Sequence, residues 1–139
     1  MSNKQKHLEM IQGAINRFST NSFLLKGWSV TLLSALLALS THKSNVNLVY
    51  FACIPTTILW GLDGFFLWQE QLFRKLYDLV RVLPEDKIDF SMDTDQITGD
   101  DRPKWFKVIR SKTLIPFHCP LFLTIIAIII YRLAQGDNN

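Results

Sequence analysis

Residues 46–68 read VNLVYFACIPTTILWGLDGFFLW, a stretch with a single formal charge at Asp63. A helix rises 1.5 Å per residue, so about 20 apolar residues cross a hydrocarbon core of about 30 Å. This stretch is long enough, and it has two companions. Residues 23–40 read FLLKGWSVTLLSALLALS with one charge, Lys26, and residues 113–131 read TLIPFHCPLFLTIIAIIIY with none. A soluble domain can hide one such helix in its core. A chain of 139 residues has no amphipathic shell left to cover three. The reading is an all-α helical membrane protein with three transmembrane helices in a single membrane domain.

Composition points the same way. Hydrophobic residues make up 48% and charged residues only 19%, with a mean hydropathy of +0.13. The charges are segregated between the apolar stretches, which excludes intrinsic disorder and argues against a soluble enzyme of ordinary composition. Cys53 and Cys119 fall inside spans at unequal depths, and two cysteines are too few for a disulfide scaffold. There is no glycine-rich phosphate loop, HExxH, CxxC or GxSxG. The expectation is a protein that is not an enzyme and needs neither cofactor nor metal.

With three spans, the N-terminus and the segment after span two share one side. Of the 15 Lys and Arg residues, all but Lys43 and Arg132 lie on that side. Positive charge marks the cytoplasmic face, so the N-terminus is expected inside and the C-terminus outside. A cleaved leader competes for span one, because Ala38 and Ser40 make a small-x-small pattern. The segment before Phe23 is long for a leader and has a helical pattern of its own, so span one is expected to stay.

That preceding segment places Leu8, Ile11, Ile15 and Phe18 on one face, predicting an amphipathic helix over 5–20 with Ser2 and Gln5 as a capping box. Such a helix would lie at the inner membrane surface or pack on its own bundle, and an interfacial anchor is expected over a partner-binding helix. Span two continues past the membrane through 69–83. There Leu72, Leu76, Leu79 and Leu83 recur at four-three-four spacing, Glu70–Arg74 and Arg74–Asp78 stand at i,i+4, and Pro84 stops the helix. A leucine seam of this kind buries against a neighbouring helix, often one from another copy, and it predicts a homo-oligomer.

Residues 84–112 form a cytoplasmic loop and a basic interfacial segment. In the acidic part, Asp93-x-Asp95 departs from a calcium loop, since Ile97 stands where a third oxygen ligand belongs and Gly99 comes one place late. A solvated loop is expected, and His7 and His42 read as surface residues. The segment then turns basic and aromatic as KWFKVIRSK. Lys104, Lys107 and Arg110 share a helical face, with Lys112 just beyond, while Trp105 and Phe106 suit the headgroup zone. These cations would bind phosphate, either of membrane lipid or of a cytoplasmic nucleotide or oligonucleotide.

Polar residues at membrane depth are costly and therefore candidates for function. Lys26, Asp63 and His118 each fall within about 4–8 Å of the inner boundary. Two readings stay open: a structural Lys26–Asp63 ion pair, or Asp63 on an ion path. At 100° per residue, Thr56, Asp63 and Glu70 lie in line. Thr57, Gly61 and Gly64 form a separate small-residue face, and span one has its own in Thr31, Ser34, Ala35 and Ala38. Around a symmetric oligomer, the Thr56–Asp63–Glu70 stripe would make acidic rings that favour cations. Pro116 and Pro120 flank His118 and predict a bend in span three.

Two segments, NSFLLKGWSVTLLSALLAL at 21–39 and WGLDGFFLWQEQLFRKLYDLVR at 60–81, resemble the two- to four-span inner-membrane effectors of bacterial anti-phage defence systems. Channel effectors of the Hailong type are nearest in size and layout. The resemblance covers roughly residues 8–82. It implies a homo-oligomeric ion channel or pore in the bacterial inner membrane that depolarises or disrupts it when triggered, governed by a ligand that a partner nucleotidyltransferase makes. It assigns no residue roles, and the span-three prolines and the acidic loop have no place in it. The alternative is a non-conducting membrane anchor, or an assembly or sensor partner in a defence or envelope complex.

Overall fold

Ser2 opens the first helix with the predicted capping box. Its hydroxyl accepts from the Gln5 N–H at 3.2 Å, and the Gln5 side chain accepts from the Ser2 N–H at 3.0 Å. From this cap α1 runs Asn3–Leu39 in a computed structural model that describes residues 2–40 and 48–136. The amphipathic segment and span one are thus one helix. Ser19, Thr20, Asn21 and Ser22 are weak helix formers, but none is Gly or Pro, and Ser22 is buried against the facing helix.

A short α2 (Leu48–Phe51) leads into α3 (Cys53–Val82). The single helix predicted from about Val46 is interrupted at Ala52, because Pro55 has no N–H to offer and its ring crowds the Phe51 carbonyl. Val46, like His42 and Lys43, lies outside the described residues. At its other end α3 stops as predicted, with Leu83 in extended backbone (ψ 144°) before Pro84.

The α1 and α3 helices pair antiparallel along their whole length. The Lys4 ammonium donates to the Leu83 carbonyl at 2.9 Å, Ser22 meets Asp63, and Leu33 packs with Ala52. At the end that holds the N-terminus, the core is Ile11, Ile15, Leu72, Leu76, Val80 and Ile97. Two expectations are corrected here. The apolar face of residues 5–20 is covered by α3, so of its two expected placements the helix takes the one on its own bundle and not the preferred surface anchor. The leucine seam is filled by the same chain, so it gives no ground for a second copy.

Ile97 reaches this core from the acidic loop, which explains an apolar residue at a would-be ligand position. His7 is buried, not at the surface: its Nε2 lies 2.8 Å from the Ser91 carbonyl and its ring packs on Phe90. Glu70 and Arg74 pair at 2.7 Å as expected, but Asp78 pairs with Arg81, not Arg74.

The five-residue α4 (Trp105–Ile109) lies across α3 at Gly64. A Cβ there would stand 2.5 Å from Ile109 Cγ1, so only glycine admits this approach. Trp68 Nε1 donates to the Pro103 carbonyl at 2.7 Å and fixes the approach to α4. Finally α5 (Ile115–Gly136) runs parallel to α1 at a constant offset. His118 lies beside Lys26, Ile125 packs with Leu33, and Arg132 donates to the Ser40 carbonyl at 2.6 Å. Pro116 sits in the first turn, where its missing N–H is harmless, and Pro120 lies inside the helix without ending it.

Among the described residues all regular structure is helical, and the helices Asn3–Leu39, Val49–Val82 and Ile115–Ala134 are long and apolar enough to cross a membrane. Their outward faces agree: Phe23, Trp28, Ile54, Ile58, Leu123 and Ile130 are all more than half exposed. Such a belt of bare apolar side chains needs lipid or partner chains to cover it. The small face of α1 is also outward. Thr31, Ser34, Ala35 and Ala38 are exposed, and the helix packs instead through Ser22, Ser29, Leu33 and Ser40.

Candidate functional site

Asp63 is fully buried at the point where all three long helices meet. One oxygen, Oδ1, accepts from the Ser22 hydroxyl and from Lys26 Nζ at 2.8 Å. The other, Oδ2, accepts from Lys26 Nζ at 2.7 Å and from His118 Nε2 at 2.9 Å. Lys26 also donates to the Ser22 hydroxyl at 2.9 Å. A carboxylate has about four lone-pair sites, and these donors occupy them.

Each member is placed by its helix. Ser22 and Lys26 are one turn apart on α1 and so face α3 together. Asp63 precedes Gly64, where α4 closes over α3. His118 stands one turn into α5, sandwiched by aromatic rings. Trp60 stacks on it at 5.7 Å and 15°, and Phe117 meets it edge-on at 5.0 Å. Phe117 also lies under the Lys26 ammonium, 5.9 Å from ring centre to Nζ.

The chemistry assigns the protons. An ionised carboxylate can only accept, so His118 Nε2 carries the hydrogen. Its Nδ1 is buried and has no hydrogen-bond partner among the described residues. Lys26 is the only member with access to the surroundings, its side chain being 20% exposed while those of Asp63 and His118 are fully buried.

The three ionisable residues expected at membrane depth are therefore brought together. The remaining two of the expected stripe are not free. Thr56 shares the buried face, but its hydroxyl donates to the Ala52 carbonyl at 2.7 Å. Glu70 is buried two turns along and accepts from Arg74. The Thr56–Asp63–Glu70 line thus faces into this chain. Ser22 was not foreseen. The usable signal was its i,i+4 relation to Lys26, a spacing that puts a hydroxyl on the same face as the charge.

A second feature lies beside α4. Lys104, Lys107, Arg110 and Lys112, predicted to bind phosphate, border one cleft of about 750 Å³, where Lys75 and Arg102 join them. Arg102 is held by Asp95 at 3.0 Å and Lys75 by Asp101 at 3.7 Å. Among the described residues the other four cations have no acidic partner, and all four are exposed. No group of three or more His, Cys, Asp or Glu among the described residues is placed to hold a metal ion.

No model of a known family matches the chain, nor does any curated protein or solved structure.

Proposed function

We propose that the chain is the subunit of a homo-oligomeric ion channel in the bacterial inner membrane, an antiviral effector whose three helices are latched by the Lys26–Asp63–His118 cluster. The N-terminus and the 84–112 segment would face the cytoplasm, as the placement of Lys and Arg favours. The observation that carries the reading is the cluster itself. A hydrogen-bonded ion pair buried among helices is often no more stable than apolar side chains of the same volume. At membrane depth such a cluster can join helices that lipid does not drive together, but its cost also marks it as a candidate for function.

The resemblance of residues 21–39 and 60–81 to anti-phage channel effectors supports the same reading. Lateral assembly is supported by small residues left outward: the α1 face of Thr31, Ser34 and Ala35, and Thr57 on α3. In this account, parting the helices exposes a carboxylate, an ammonium and an imidazole to one path.

Planar-bilayer recording tests it. Wild-type protein gives discrete currents, and Asp63→Leu, though less stable, still inserts but gives none. An unchanged conductance in Asp63→Leu sinks the assignment. A second reading, a non-conducting anchor or assembly partner, is favoured by one observation: Thr56, Asp63 and Glu70 are all satisfied inside their own chain. On that reading wild-type protein passes no current, and the only effect of Asp63→Leu is a loss of stability and expression that replacing Lys26 by Met in the same chain relieves.

A further inference from the structure

The basic cleft beside α4 calls for an occupant. Its walls come from separate places: Lys75 from α3, Arg102 and Lys104 from the turn before α4, Lys107 from α4, and Arg110 and Lys112 from the turn leading into α5. Against six cations stand two carboxylates, Asp100 and Asp101, and only Asp101 makes an ion pair within the cleft. Positive charge on the cytoplasmic side would be satisfied by lysines scattered over the surface. Convergence on one concavity is different. Four unpaired cations held around a common hollow repel one another, and an anion placed between them removes that cost.

We propose that this cleft binds a phosphate-bearing ligand through Lys104, Lys107, Arg110 and Lys112, with Lys75 and Arg102 completing its wall. The size fits a ligand of small-molecule dimensions. The mixture of Arg and Lys fits phosphate oxygens, which Arg meets in pairs and Lys as a point charge. The cleft opens next to the first turn of α5, so the phosphate can belong to a lipid headgroup or to a free compound. The binding does not depend on whether the chain conducts.

The test uses full-length protein in an uncharged detergent. Inorganic pyrophosphate is titrated calorimetrically, and phosphatidylglycerol carried over from mixed nanodiscs is measured by native mass spectrometry. The variants are Lys107→Gln and Arg110→Gln, with Lys6→Gln and Lys87→Gln as controls of equal charge change away from the cleft. All four side chains are exposed, so the fold should tolerate the substitutions.

Saturable pyrophosphate binding that weakens about tenfold in each cleft variant, but not in the controls, is the expected result for a free ligand. Absence of pyrophosphate binding, with phosphatidylglycerol retained by wild type and the controls and lost from the cleft variants, assigns the same chemistry to a lipid headgroup. No binding of either probe, or equal weakening in the controls, overturns the proposal.

Discussion

The two halves of the α1–α3 hairpin differ in what their interiors hold. At the end carrying the N-terminus, the exposed surface is charged and the core is Ile11, Ile15, Leu72, Leu76, Val80 and Ile97. In the apolar half, the surface is Phe, Trp, Leu and Ile, and beside a small apolar contact of Leu33, Ala52 and Ile125 the interior holds Ser22, Lys26, Asp63 and His118. Each half keeps inside what its surroundings would not stabilise. Water drives apolar faces together, whereas lipid gives apolar helices no such drive, leaving close packing and polar contacts to join them. One pair of helices thus changes its adhesive within a single turn or two, between Ile15 and Ser22.

The sharpest way to break this comparison is to remove one partner of the buried charge pair. Lys26→Met leaves the fully buried Asp63 carboxylate without its cation and should cost about 3–5 kcal/mol, read as a lower melting temperature in detergent. Asp63→Leu should cost less, because Lys26 is partly exposed and its long side chain can turn outward to the polar boundary. Equal losses in the two variants would show that burial does not set the asymmetry. In the other half, Leu76→Ala should cost about 2–5 kcal/mol through an apolar cavity alone, and no second substitution of opposite charge character should relieve it.

Gly64→Ala tests the seating of α4 on α3. Its methyl group would meet Ile109 at 2.5 Å, so α4 must shift, with a loss of about 1–3 kcal/mol. Pairing it with Ile109→Ala should recover part of that loss, and an absence of coupling would mean that α4 is not seated there. Smallest is Ser2→Ala, which removes the helix cap and should cost about 1 kcal/mol, detected as faster amide exchange in the first turns of α1.

What could be read from the chain beforehand was local. The cap at Ser2, the stop at Pro84 and the three apolar helices each depend on a few neighbouring residues. The same is true of Lys26, Asp63 and His118, whose shared depth follows from counting along each span. What could not be read depended on which helix faces which. The leucine seam of α3 has the same spacing whether its partner is α1 or another copy. His7 looks like a surface residue until the acidic loop folds over it to present the Ser91 carbonyl. The small face of α1 invites packing on sequence grounds, yet the helix turns its polar face inward because Ser22 and Lys26 must reach Asp63. The break at Ala52 was the exception, since Pro55 stood in plain view.

The most direct measurement is single-channel recording on Lys26→Met combined with Asp63→Leu, beside wild type. With both charges replaced, the ion pair gives way to apolar packing, but buried His118 loses its acceptor, so the protein should melt below wild type and above Lys26→Met alone. The account predicts a variant that folds and assembles as wild type does but passes no current. Currents of wild-type size from that variant, or a wild-type protein that is both monomeric and silent, would contradict it.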